Sequence, residues 1–246
     1  MADHVAAVNA RGLRVHGASG DHTVRLASMA LGTDGIGVCD LVVIATKAFD
    51  VAAAAESARS LVGPDTVIQS IQNGLGSPER VAAVLGGDRL AIGVVGGFGA
   101  SVPVPGVAHH NGMEMIRFGA FAGLPRQALE ASARIWTSSG FAVQLFEDTD
   151  RMVWEKLVVN VAFSGTTCLT GLTIGQVMAD PSAWAVAEAC AREAIPWPEL
   201  RASRWTSVTP SSTSARSAAR SPTPGRAVAD LIRAREPGYL APGESG

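Results

Sequence analysis

Cys39-Asp40-Leu41-Val42-Val43-Ile44-Ala45-Thr46-Lys47 is a continuous aliphatic run closed by a polar pair. A strand with one face in water would alternate apolar and polar residues. An unbroken run is what a parallel strand covered on both faces requires. Residues 51–61 follow as an alanine-rich helix, broken at Gly63-Pro64-Asp65. Thr66-Val67-Ile68-Gln69-Ser70-Ile71 repeats the buried-strand pattern and ends in Gln72-Asn73-Gly74-Leu75-Gly76. A helix then starts near Ser77-Pro78-Glu79, with proline in its first turn. Arg89-Leu90-Ala91-Ile92-Gly93-Val94-Val95 is the next strand. Strands alternating with helices at this spacing predict an α/β fold with a parallel sheet. Ligands of such sheets sit beyond the carboxyl ends of the strands, where Lys47 and Asn73 both fall. A plain turn role for Asn73, ahead of Gly74, is the alternative.

Upstream, residues 5–12 read as a short helix closed by Gly12. Leu13-Arg14-Val15-His16 and Thr23-Val24-Arg25-Leu26-Ala27 alternate as half-buried strands do, with Gly17, Gly20 and Asp21 turning between them. Downstream, Gly93-Val94-Val95-Gly96-Gly97-Phe98-Gly99 has the glycines of a dinucleotide fingerprint without its context. That motif needs a helix straight after the glycines, and Ser101-Val102-Pro103-Val104-Pro105-Gly106 cannot start one. A strand pair near Val107 and residues 115–118, bending at Asn111-Gly112, is expected instead. Residues 125–138 read as a helix and 142–146 as the last strand.

From Asp148 onward the pattern is helical only. Asp150 is placed to cap a long helix carrying Met152, Trp154, Leu157, Val158, Val161 and Ala162 at helical spacing. A second helix begins at Asp180-Pro181 and runs to about Ile195. The first of these helices carries Trp154-Glu155-Lys156-Leu157-Val158-Val159-Asn160. Lysine is scarce in this chain, where Lys47 and Lys156 stand against eighteen arginines. Residues i and i+4 share a helix face, so the Lys156 ammonium and the Asn160 amide can address one small molecule. A lysine on an apolar helix can donate a proton or polarise a carbonyl once desolvation lowers its pKa. The competing reading is a snorkelling side chain with its amine in water.

A hydrophobic share of 47%, a charged share of 17% and a net charge of −2 describe a globular chain without the basic footprint of a nucleic-acid or membrane-surface protein. No apolar run is long enough to span a bilayer. The N-terminus lacks a basic segment followed by an apolar core. The three scattered cysteines fit buried thiols in a reducing cytoplasm, so a cytoplasmic location is expected. His109-His110 has no accompanying cysteine or carboxylate cluster, and no metal site is expected. Residues 196–246 hold seven of the thirteen prolines and seven arginines without a lysine, and read as a disordered or frame-shifted tail.

Taken together and in order, Lys47, Asn73-Gly74-Leu75-Gly76 and Trp154-Glu155-Lys156-Leu157-Val158-Val159-Asn160 resemble the ketopantoate reductase (2-dehydropantoate 2-reductase) family. The resemblance covers about residues 5–195. It implies a partial NADP-binding Rossmann domain over 1–146 and the start of a helical C-terminal domain over 147–195. The implied reaction is NADPH-dependent reduction of 2-dehydropantoate to pantoate, in pantothenate biosynthesis. Lys156 would be the catalytic lysine that protonates the ketone oxygen. Lys47 and Asn73 would lie at the cofactor, and Asn73, Asn160 and Ser164 at a small 2-oxoacid substrate. A homodimer is compatible with the family pattern.

The chain departs from that pattern in three places. It has no opening strand with a glycine fingerprint, it does not match the family after Pro196, and it has Ser164 where many members have asparagine. An impaired or partial, N-terminally truncated copy with an atypical tail is therefore expected. A reductase of another 2-oxoacid, like the β-hydroxyacid dehydrogenases, and a non-catalytic remnant are the alternatives.

Overall fold

The computed structural model describes residues 2–29, 32–33, 35–96, 99–112 and 115–194. The expectation of a disordered or frame-shifted segment over 196–246 lies outside these residues. The chain divides into two compact units, with the boundary between Thr149 and Asp150.

In the first unit, β3 (Leu41–Ile44), β4 (Val67–Ser70) and β5 (Leu90–Gly96) are parallel neighbours, as the aliphatic runs require. The crossovers between them are α2 (Val51–Ser57), extended by a 3-10 turn at Arg59–Leu61, and α3 (Ser77–Leu85). Beyond β5 the sheet continues with β8 (Met115–Ala120) and β9 (Val143–Phe146), in the order β3-β4-β5-β8-β9. β8 runs antiparallel to β5, and β9 parallel to β8. The sheet thus has the expected parallel strands in β3-β4-β5 and is extended on one side by a pair running the other way. A parallel neighbour needs a crossover of about a dozen residues or more, usually helical. After β5 the chain instead makes a β-hairpin, β6 (Gly99–Val104) and β7 (Val107–Gly112), and returns without a helix.

That hairpin belongs to a second sheet, β2-β1-β7-β6, built on β1 (Leu13–Gly17) and β2 (Gly20–Val24), which follow α1 (Ala2–Arg11). The expected pairing of Val107 with residues 115–118 is thus overturned. β7 pairs with β1 and β6, whereas β8 pairs with β5 and β9. Burial gives the reason. Ile116 and Phe118 are almost wholly buried in the main core, while β7 turns His109 toward His16 of β1, with the two Nδ1 atoms 3.2 Å apart. Strand β2 also ends at Val24, so residues 25–27 are not part of it.

Both faces of the main sheet are covered. Val42, Ile44, Ile68 and Leu90 pack with Val51, Ala55 and Val81 of α2 and α3. On the other face Val67, Ala91, Ile116 and Phe118 pack with Leu129 of α4 (Arg126–Ser138). The glycine cluster that begins within β5 has a packing role at Gly93. A Cβ there would stand 2.7 Å from Ile71 Cγ2 and 2.8 Å from Phe118 Cε1. Gly99 leads into β6 and not into a helix, in line with the rejection of a fingerprint at this point.

The second unit is helical: α5 (Thr149–Thr170), α6 (Ile174–Ala179) and α7 (Pro181–Ala194). Val158, Ala162 and Phe163 of α5 share a core with Val177 of α6 and with Trp184, Ala187 and Ala191 of α7. α5 begins one residue before Asp150, which lies in its first turn, where a carboxylate complements the helix dipole. α7 starts as read, with Asp180 Oδ1 accepting from the N–H groups of Ser182 and Ala183. α6 was not anticipated. Its signal is Thr173-Ile174-Gly175-Gln176, which forms a reciprocal capping box. No helix among the described residues is long and apolar enough to cross a membrane.

Candidate functional site

Lys47 lies three residues past the end of β3, exposed, in the loop that leads to α2. The backbone around it is held at every turn. The carbonyl of Ile44 accepts from Gln72 Nε2 at 2.8 Å, and that of Thr46 from the same nitrogen at 3.1 Å. The Lys47 carbonyl accepts from Asp50 N at 2.9 Å, and the Ala48 carbonyl from Arg80 Nη1 at 3.0 Å. The ammonium itself makes no hydrogen bond or ion pair among the described residues. Restraining the backbone while leaving the cation unengaged is what a ligand-facing lysine needs.

Asn73 follows β4 by three residues, and it too is exposed with no hydrogen-bonding partner among the described residues. Gly74 and Gly76 both have left-handed backbones, φ +86° and +89°, which turn the chain from β4 into α3 within a few residues. Gln72 joins the two loops, since it is bonded to the β3 end and stands next to Asn73 in sequence. Lys47 and Asn73 are therefore brought to one end of the parallel strands, as expected for a site in an open α/β sheet.

Glu79, in the first turn of α3, was read from sequence only as part of a helix start. Its Oε2 is buried without a hydrogen-bond partner, which no other buried side-chain nitrogen or oxygen among the described residues shows. Buried carboxylate oxygens are normally satisfied, so this one is short of a donor. The sequence signal was its position, three residues after Gly76 at the close of the strand-end motif.

On α5, Lys156, Asn160 and Ser164 form a stripe at successive i, i+4 steps, with side chains about 5–6 Å apart at Cβ on such a face. Lys156 and Asn160 are half-buried and Ser164 is exposed. Val158, Ala162 and Phe163 of the same helix enter the helical core. Neither the Lys156 ammonium nor the Asn160 amide is engaged by another side chain among the described residues. Glu155, the adjacent carboxylate, is paired with Arg151 at 2.9 Å. A cation and an amide aligned on a half-buried helix edge can hold an oxygen-rich small molecule and supply it a proton.

Two family models match the chain. The one described as ketopantoate reductase PanE/ApbA covers residues 1–123, and its C-terminal counterpart covers residues 148–209. The second match continues past residue 195, where the resemblance was expected to stop. The 2-dehydropantoate 2-reductase of Halobacterium salinarum is 28% identical over 196 residues, covering 79% of this chain and 64% of that protein. The one from Pyrococcus abyssi is 30% identical over 161 residues, covering 65% of this chain and 51% of its own length. The chain thus spans between about half and two thirds of these relatives. Among solved structures, the 2-dehydropantoate 2-reductase of Geobacter metallireducens superposes with a TM-score of 0.70 at 30% identity, over 77% of this chain and 62% of that one. A D-mandelate dehydrogenase bound to NADH and anilino(oxo)acetate superposes at 0.75 over 82% and 65% with 17% identity, a likeness of fold. Sheet, helical unit and strand-end motif all lead to one assignment, and with half its length matched by the first model the chain belongs to the ketopantoate reductase family.

Proposed function

We propose that this chain carries the chemistry of a 2-oxoacid reductase, with 2-dehydropantoate as substrate and NADPH as the reductant. The observation that carries the proposal is the stripe on α5, where Lys156 and Asn160 present unengaged polar heads from a half-buried helix edge. The groups at the strand ends fit a nicotinamide dinucleotide. Lys47 offers a cation and Asn73 an amide. When bound, the dinucleotide supplies the hydride.

The chain's own residues do the rest. Lys156 Nζ faces the keto oxygen and gives up a proton as negative charge develops there, where a placed cation is most effective. Asn160 donates to the hydroxyl or carboxylate of the substrate, and the Ser164 hydroxyl donates one turn further along. In the first unit, Asn73 offers its amide to the bound molecules and Lys47 neutralises cofactor charge. A second reading, reduction of a different 2-oxoacid, is favoured by Ser164, whose short exposed hydroxyl replaces a longer amide at the outer end of the stripe.

The test is NADPH oxidation by the purified chain with a panel of 2-oxoacids that includes 2-dehydropantoate. Lys156→Ala should lower kcat by about 10²–10⁴-fold, the usual worth of a general acid, with little change in cofactor affinity. Equal rates for wild type and Lys156→Ala would sink the proton-donor role. Absence of turnover with every acid would sink the reductase assignment. Preference for a different acid would select the second reading.

A further inference from the structure

Gln72 and Asn73 are adjacent amides with opposite fates. Every polar atom of the Gln72 amide is used inside the protein. Its nitrogen donates to the carbonyls of Ile44 and Thr46, and its Oε1 accepts from Ser70 Oγ at 2.6 Å. Ser70 is buried at 1% exposure, so the amide is anchored from the sheet interior. Asn73, one residue on, has its amide unengaged among the described residues. Both carbonyls that Gln72 holds belong to the segment that carries Lys47. Since β3 and β4 pair only as far as Ile44 and Ser70, the ladder itself leaves Thr46 and Lys47 unheld.

We propose that Gln72 is a positioning residue: by tying the end of β3 to the end of β4, it sets where Lys47 and Asn73 present their polar heads to the dinucleotide. Gln72 touches no reacting group itself and acts through the Lys47 loop. The assignment of Lys47 and Asn73 to the cofactor rests on the proposed function, whereas the tie between the loops does not. The two can therefore fail separately.

The experiment uses Gln72→Met, which keeps volume and removes all three hydrogen bonds, and Ser70→Ala, a milder change that frees only Gln72 Oε1. Amide hydrogen exchange in the full chain reads the loop without any ligand. The N–H of Asp50, bonded to the Lys47 carbonyl, and that of Ile71, bonded to the Ile44 carbonyl, should exchange about tenfold faster in Gln72→Met. The N–H of Ile68, bonded to the Arg89 carbonyl inside the sheet, should stay protected and shows that the variant is folded. If Gln72→Met does not fold, Ser70→Ala must show the same effect at a few-fold size. Unchanged exchange at Asp50 and Ile71 overturns the proposal.

NADPH titration is the second readout. Gln72→Met should raise the dissociation constant about tenfold in the wild-type background and add little in a Lys47→Ala background, because it acts through that loop. Equal added losses in both backgrounds would mark a merely structural role and overturn it. Loosened exchange together with no NADPH binding by the wild type would leave the tie standing and refute the cofactor reading.

Discussion

Gln69 is fully buried in a strand whose residues are all buried, and an uncompensated amide there would cost more than the strand could absorb. Its oxygen accepts from Trp136 Nε1 at 2.7 Å and its nitrogen donates to Ser132 Oγ at 3.2 Å, which in turn donates to the Leu129 carbonyl. Removing one partner leaves the other group stranded. Trp136→Phe keeps the ring packing against Phe141 but orphans Gln69 Oε1, and should lower stability by about 1–3 kcal/mol in urea denaturation. A change within about 0.5 kcal/mol would mean that water reaches the amide. Sequence periodicity marked the strand as buried without any sign of this network, because all of Gln69's partners come from α4, more than sixty residues away.

Elements in this chain are shaped by what their neighbours demand at single positions. β5 tolerates Gly93, a poor strand residue, because Ile71 and Phe118 occupy the space a side chain would take. Gly93→Ala should therefore destabilise by about 1–3 kcal/mol through overpacking, measured as a fall in Tm, despite the better strand propensity of alanine. The β1–β2 hairpin is stitched by an exposed pair. Hydrogen bonding to the Arg14 guanidinium holds the Asp21 carboxyl below its ordinary value, against a smaller opposing effect of burial. A carboxyl lowered in the folded state adds stability that is present above its unfolded pKa and is lost as pH falls through the lowered folded value. The Tm difference between wild type and Asp21→Asn should accordingly shrink below about pH 4. Because the pair is exposed, about 1 M salt should erase most of the difference at neutral pH as well.

For the whole molecule, Lys47 and Asn73, the latter proposed at both cofactor and substrate, lie in the first unit, and Lys156, Asn160 and Ser164 in the second. The losses of Lys47 and Asn160 should separate. Lys47→Ala should raise the NADPH dissociation constant about tenfold and leave the keto-acid KM nearly unchanged, while Asn160→Ala should do the reverse, each by the worth of one charge-assisted hydrogen bond. Steady-state kinetics with each substrate varied in turn checks this. A matched rise in both constants for either variant would contradict the division of roles.

Much of this was legible in the residues. Aliphatic runs at residues 41–44, 67–70 and 90–96, the glycine turn after Asn73, and the i, i+4 pair on the long helix are local patterns set by backbone geometry and turn chemistry. Local patterns survive in a linear reading, and they were enough to place Lys47, Asn73, Lys156, Asn160 and Ser164 on their elements. Which sheet a strand joins is not local. The split of β7 from β8, the reversed direction of β8, and the internal duties of Gln69 and Gln72 depend on partners tens of residues distant. Only burial of Phe118 and satisfaction of polar groups in the folded chain decide among pairings that the sequence leaves equal in propensity.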